Sequence, residues 1–293
     1  MHPRFAKPFE TLSAPLQAAL LLMLGDDFQA RFTPDQIATL KASTGLDDRA
    51  LRLALLPLAA ACSVAPISRF FVGAIACGLS GTWYFGANME FAGQGLFHSV
   101  HAEQSAISNA WLGGETGISE ITVNYTPCGH CRQFMNELST AKTLKVSLPD
   151  DLSELQSFLP HSFGPADLEI TDALMSPQAH DELVLESDDP LWQAALTAAR
   201  QSYAPYSQGY AAVALQFEDG RIFCGRYAEN AAFNPSLPPM QMACAHAVLG
   251  GEDLATVRRA VLLESKDGQI SQRDSAQSTL KALGSIELEY KAV

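Results

Sequence analysis

His101-Ala102-Glu103 and, further along the chain, Pro127-Cys128-Gly129-His130-Cys131 are the residues whose types and spacing could do chemistry. One histidine and two cysteines can hold a zinc ion through three protein ligands and leave the fourth tetrahedral position to water, the pattern of a catalytic rather than a structural site. Residues at i and i+2 of a helix do not share a face, so His101 and Glu103 are not both expected on one ion. That leaves Glu103 free to move protons for the water.

A structural zinc would need a fourth protein ligand, and His130, His98, Cys77 and Cys62 are the residues available. That reading explains neither Glu103 nor Pro127. Cys-x-x-Cys alone is shared with redox motifs and zinc knuckles; joined to an upstream His-x-Glu and preceded by proline, it is the signature of zinc-dependent nucleobase deaminases. Cys62, Cys77, Cys224 and Cys244 stand in apolar surroundings and read as packed core thiols, and the isolated His2, His161, His180 and His246 show no partners in sequence.

The elements that must position these groups emerge from periodicity. Residues 9–46 read as a small all-helical preface, with Thr33-Pro34-Asp35 as a cap and first turn. A helix over Asp48 to Ala61 precedes a hairpin of Phe70 to Ala76 and Gly81 to Gly86. Helix and strand then alternate: Ala102 to Trp111 as helix, Ile118 to Tyr125 as strand, Cys128 to Leu138 as helix, Leu144 to Leu148 as strand. Such alternation argues for a sheet covered by helices. The ligand-bearing residues thus open two helices, whose N-termini favour thiolate over thiol.

The 293 residues suffice for two domains, and a 47% hydrophobic composition fills real cores. A formal net charge of -13 argues against a nucleic-acid partner and for a small neutral substrate. Six cysteines in so long a chain, two at metal-ligand spacing, point to a reducing compartment, the cytoplasm. The N-terminal apolar run ends in Asp26-Asp27 rather than a cleavage site, and the stretch Leu51 to Ala61 is too short to span a bilayer, so neither a signal peptide nor a membrane partner is expected.

The acidic, aperiodic stretch from Pro177 to Pro190 reads as a linker, and the chain beyond it repeats the chain before it. Ala65-Pro66-Ile67-Ser68 returns as Ala204-Pro205-Tyr206-Ser207, and Gly86, Glu90 and Ala92 return as Gly225, Glu229 and Ala231, all at one constant offset in numbering. The same offset sets Met240 against His101, Met242 against Glu103, and Asp267 and Ile270 against Cys128 and Cys131, so the second copy is expected to keep the scaffold without the ligands.

The chain resembles the two-domain, homodimeric cytidine deaminases of bacterial type. The likeness runs through Gly81 to Phe91, Val100 to Ala106, Asn124 to Leu138 and Tyr227 to Pro235, and covers nearly the whole chain. It implies an α/β fold: a duplicated three-layer α/β/α core, each a mixed sheet flanked by helices, behind a small N-terminal helical domain. The implied division is a helical segment 1–46, a catalytic domain 47–175, a linker 176–190 and a non-catalytic domain 191–293. It also implies hydrolysis of cytidine or 2'-deoxycytidine to the uridine and ammonia, a hydrolase acting on a cyclic amidine C–N bond in pyrimidine salvage. His101, Cys128 and Cys131 would ligate one zinc per chain and Glu103 would shuttle protons. Asn88-Met89-Glu90 would take the sugar, with Asn88 and Glu90 on its hydroxyls, and Phe70 would pack on the pyrimidine; an amide, a carboxylate and an aromatic face suit those tasks. Two other readings are a deaminase of nucleic acid or of a cytosine-bearing antibiotic, and a non-enzymatic zinc module. Acidity and the absence of a basic, aromatic-rich strand oppose a polynucleotide.

Overall fold

In Gly73–Gly78 the side chains alternate between two helical layers, and that alternation organises the first half of the chain. The computed structural model describes residues 1–293. Short helices α1 (Ala6–Glu10) and α2 (Ala14–Leu20) lead to strand β1 (Arg31–Phe32) and helices α3 (Pro34–Thr44) and α4 (Asp48–Ala60). Strands β2 (Gly73–Gly78) and β3 (Trp83–Ala87), helix α5 (Ala102–Leu112), strand β4 (Ile118–Val123) and helix α6 (Gly129–Met135) come next. Strands β5 (Lys145–Ser147) and β6 (Leu152–Glu154) and helix α7 (Leu155–Phe158) complete this half. The mixed sheet runs β1-β3-β2-β4-β5-β6, with only β4 and β5 parallel. Ile75 and Cys77 face α4 and the N-terminal helices, while Ala74 and Ala76 face α5.

The preface is therefore not all helical. Arg31 and Phe32 pair with Tyr84 and Trp83 and extend the first sheet, and Phe5, Phe28 and Phe32 pack around Phe85. A two-residue strand gives no periodicity to read; the sheet edge imposes it. Helix α3 begins where expected, its Thr33 cap paired with Gln36. The acidic stretch 177–189 carries no helix or strand, yet Leu183 is buried in the core of the second half and His180 stacks on Tyr210 at 3.5 Å, so it is strapped down along its course.

The second half contains α8 (Pro190–Ala199), β7 (Ala211–Phe217), β8 (Ile222–Arg226), α9 (Pro239–Leu249), β9 (Val257–Glu264), α10 (Arg273–Lys281) and β10 (Leu288–Ala292), with sheet order β10-β9-β7-β8. It repeats the first core so closely that the register irregularity at Cys77/Gly78 recurs at Gln216/Phe217, the same offset further on. The offset is not constant, however. Met89 bridges Val100, but its counterpart Ala228 bridges Leu237, so two residues are missing from that loop and α9 begins correspondingly early relative to α5. Pro238 thus stands in the place of His101, and Met240, not Met242, in that of Glu103. Helix α10, by contrast, starts late, with Gln272 as its cap where Cys128 caps α6. No metal-ligating side chain occupies any of these three places.

Helices α5 and α9 sit between the two sheets, and one cluster of 43 buried residues spans both halves. The close approach of α5 to its sheet rests on Gly86, where a Cβ would overlap the backbone nitrogen of Ala106 and the carbonyl of Ala102. Gly225 stands against Ala243 and Pro239 in the same way. Gly86→Ala is expected to cost about 1–3 kcal/mol or to displace α5; urea unfolding checks the first outcome, and an unchanged midpoint with unchanged zinc content would contradict both.

Candidate active site

His101 is the N-cap of α5, and its φ/ψ of -88°/156° turns the ring out of the helix while Glu103 lies in the first turn. Cys128 is the N-cap of α6, at φ/ψ -71°/169°, and Cys131 lies one turn in. The packing of α5 against α6 brings the donors together: Cys128 Sγ to Cys131 Sγ is 3.6 Å, and His101 Nδ1 is 3.4 Å from Cys128 Sγ and 3.2 Å from Cys131 Sγ. A tetrahedral zinc with ordinary bond lengths needs edges of about 3.8 Å for S···S and about 3.5 Å for S···N. The residues fit the ion. No fourth His, Cys, Asp or Glu joins the group.

The other conceivable ligands are engaged elsewhere. Cys62 and Cys77 are buried in the core on the α4 side of the sheet. His98 is buried against Gln241 and Thr279 of the second half. His130 stacks on His101 with ring centroids 5.0 Å apart rather than completing the ligand set.

Electrostatics prepare the donors. The Cys128 thiol is held down to about 3, first by the hydrogen bond from the Cys131 thiol and then by that to His101. Cys131, the buried donor of that bond, is pushed well up, and His101 is raised chiefly by Cys128. Metal binding must expel protons from such a site. Glu103 is 4% exposed, and burial raises its carboxyl against the lowering influence of its own backbone N–H and of Cys131.

Asn88 and Glu90 are committed to the segment over the site. The Asn88 side chain accepts from Val72 N at 2.9 Å and donates to the Phe70 carbonyl at 2.8 Å. Glu90 accepts from the backbone of Ile67 (2.8 Å) and Ser68 (3.0 Å) and from the Ser68 hydroxyl. Burial pushes Glu90 up, but these bonds outweigh it and hold the carboxyl below its usual range. Met89 differs from its neighbours: its side chain is buried in the shared core and its backbone pairs with Val100, so it presents no polar group.

Phe70 is half exposed and meets Tyr125 at 4.5 Å. The sequence reads Tyr125 as the end of a strand, whereas β4 stops at Val123; its place just before Thr126-Pro127-Cys128 is the available signal. Gln104 was also missed. Its Oε1 accepts from His101 N at 3.2 Å and its Nε2 donates to the Pro235 carbonyl at 3.1 Å, joining the ligand cap to the second half. Two cavities of 480 and 700 Å³ lie elsewhere and contain none of these residues, while Cys128, Phe70 and Tyr125 are exposed on the single chain.

Residues 46–147 and residues 155–277 match two family models, each described as the cytidine and deoxycytidylate deaminase zinc-binding region. The chain is 93% identical over 293 residues, all of both chains, to a cytidine deaminase of Aeromonas hydrophila subsp. hydrophila. It is 91% identical, again over the whole of both chains, to one of Aeromonas salmonicida. A solved cytidine deaminase from Burkholderia pseudomallei is 30% identical over 40% of this chain and 100% of its own, with a TM-score of 0.36.

Cys131→Ala removes a buried donor and should reduce bound zinc to below about a tenth per chain, whereas His130→Ala should leave zinc content unchanged. Metal analysis after dialysis checks both, and equal losses would show His130 to be a ligand.

Proposed function

The chain belongs to the cytidine deaminase family, and from that premise we propose that it hydrolyses cytidine and 2'-deoxycytidine to uridine and 2'-deoxyuridine with release of ammonia. The observation that carries this reading is the set of three donors at tetrahedral spacing, with buried Glu103 beside them and no fourth protein ligand. His101, Cys128 and Cys131 hold one zinc per chain. When bound, zinc supplies the Lewis acidity that lowers the pKa of a coordinated water towards ~7.

Glu103 carries the protons. Its buried carboxylate accepts a proton from the attacking water and hands it to ring N3, which makes C4 electrophilic, and the water oxygen bonds to C4. Glu103 then moves the proton of the new C4 hydroxyl to the amino group, the C4–N bond breaks, ammonia leaves and the C4 carbonyl remains. Phe70, with Tyr125 against it, offers an aromatic face to the pyrimidine. Asn88 and Glu90 take the sugar hydroxyls, mainly the 3' hydroxyl, with the lone pairs and N–H left by their internal bonds. Met89 acts between them as a fixed point, its side chain buried and its backbone bridged to Val100.

We read the chain as a segment 1–46, helical but for the strand Arg31–Phe32, a catalytic domain 47–175, a linker 176–190 and a domain 191–293 kept for architecture. Its working form is a homodimer. Cys128 at the site is exposed, and Ile67, Phe70, Phe71, Leu96, Phe97 and Phe233 are large apolar side chains left exposed on one chain. The segment Ala231-Ala232-Phe233 closes the partner's site: Ala231 is anchored on Glu137 at 2.9 Å, and Phe233, at a positive φ of 61°, is held outward. We take the cytoplasm as its compartment, in keeping with six cysteines in 293 residues of which two stand at metal-ligand positions; no helix is long and apolar enough to cross a membrane.

Ammonia release from free cytidine by zinc-replete protein, with the accompanying ultraviolet change, tests the reaction; none with either nucleoside would refute it. Glu103→Ala should lower turnover by about 10²–10⁴-fold with zinc still near one per chain. Retained turnover would remove Glu103 from its role. Sedimentation should give twice the chain mass, and a chain ending before Gln193 that stayed fully active as a monomer would overturn the dimer.

A further inference from the structure

Arg226, the last residue of β8 in the second half, is 5% exposed and has no carboxylate partner. Its guanidinium donates to the Trp111 carbonyl and to Gln201 Oε1, and stacks 3.9 Å over the Trp111 ring. Burial pushes its pKa down, to about 9, so it remains a cation at neutral pH. A buried cation without a counter-ion is costly unless something else supplies negative potential. Here the C-terminal end of α5 does, through the partial charge of its terminal carbonyls.

Helix α5 is the helix that matters. Residues Ala102 to Trp111 are all buried; the carbonyls of Asn109, Ala110 and Trp111 accept from the backbone N–H groups of Gly113, Glu115 and Gly114, Arg226 adds a side-chain donor at Trp111, and the other end of the helix carries His101 and Glu103. The arrangement is not inherited from the repeat: the first-copy counterpart of Arg226 is Ala87. The second central helix, α9, receives its guanidinium from elsewhere, since Arg4 donates to the carbonyls of Val248 and Leu249. Each central helix therefore ends on an arginine delivered from outside its own core, but only α5 leads to chemistry.

We propose that Arg226 is a positioning residue for the reaction, by which the second domain fixes the C-terminal end of α5 and so the placement of His101 and Glu103 at its start. Nearly the whole helix separates the two ends, roughly 15 Å, and a buried, hydrogen-bonded helix transmits an axial shift over that length. A shift of about 1 Å at a reacting group can cost up to ~10²-fold in rate. The inference rests on the deaminase reading, and its test separates the two failures.

Arg226→Lys, which keeps the charge but loses the stacking and the fork, and Arg226→Met are compared with Arg4→Met, the same kind of loss at the helix without chemistry. The Arg226 variants should lose about tenfold in kcat with KM within about twofold. They should also release zinc to a chelator several-fold faster, a readout independent of turnover, with Lys retaining more function than Met. Arg4→Met should lower Tm without changing kcat or zinc release. Wild-type kcat and zinc release in Arg226→Lys and in a folded Arg226→Met would overturn the proposal. So would equal losses in Arg4→Met. An unaltered protein without deaminase activity would instead overturn the functional reading, while the zinc-release comparison would still judge Arg226; if Arg226→Met does not fold, the Lys variant carries the test.

Discussion

Three donor atoms from two helices must stay within 4.8 Å of one another, although His101 and Cys131 are 30 residues apart in the chain. Everything around the site serves that constraint. Strands β2, β3 and β4 form the floor, Gly86 lets α5 lie against it, and β4 leads directly into the loop that starts α6. Because both helices begin at the site, their N–H groups and dipoles favour the anionic sulfurs that the metal needs. The same choice leaves the far ends of the helices to be secured by something else.

The second half supplies that security. Its sheet, its shortened loop and α9 repeat the first half, with Pro238 and Met240 where a ligand and an acid/base would stand. What it gives in exchange are contacts at the far ends. Arg226 meets the end of α5, and Tyr203, Tyr206 and the Ala231 backbone donate to the fully buried Glu137 just beyond α6. With one apolar cluster running through both halves, separating them would expose the flank of α5.

Much of this was legible because it is local. Caps, first turns and hairpins depend on a few neighbouring residues, so His101 and Cys128 could be placed at helix starts from sequence alone. The strand at Arg31–Phe32 could not, because it exists only through its pairing with Tyr84 and Trp83. The loss of two residues between Ala228 and Leu237 was equally hidden: the strands before that loop keep the offset of the repeat on both sides of the sheet, and only the bridge partners show where the chain was shortened.

By itself, the sequence determined the ligand types, their helix-start positions, the carboxylate beside them and the loss of that set in the second copy. These are matters of residue chemistry and short-range periodicity. The tertiary structure decided that the three donors converge at tetrahedral spacing and that Tyr125 faces Phe70. It also decided that Met89 turns into the core and that Arg226 and Gln104 tie the second half to α5. Those contacts join residues up to 131 positions apart. Their geometry is set by how helices pack on sheets, which no window of sequence contains.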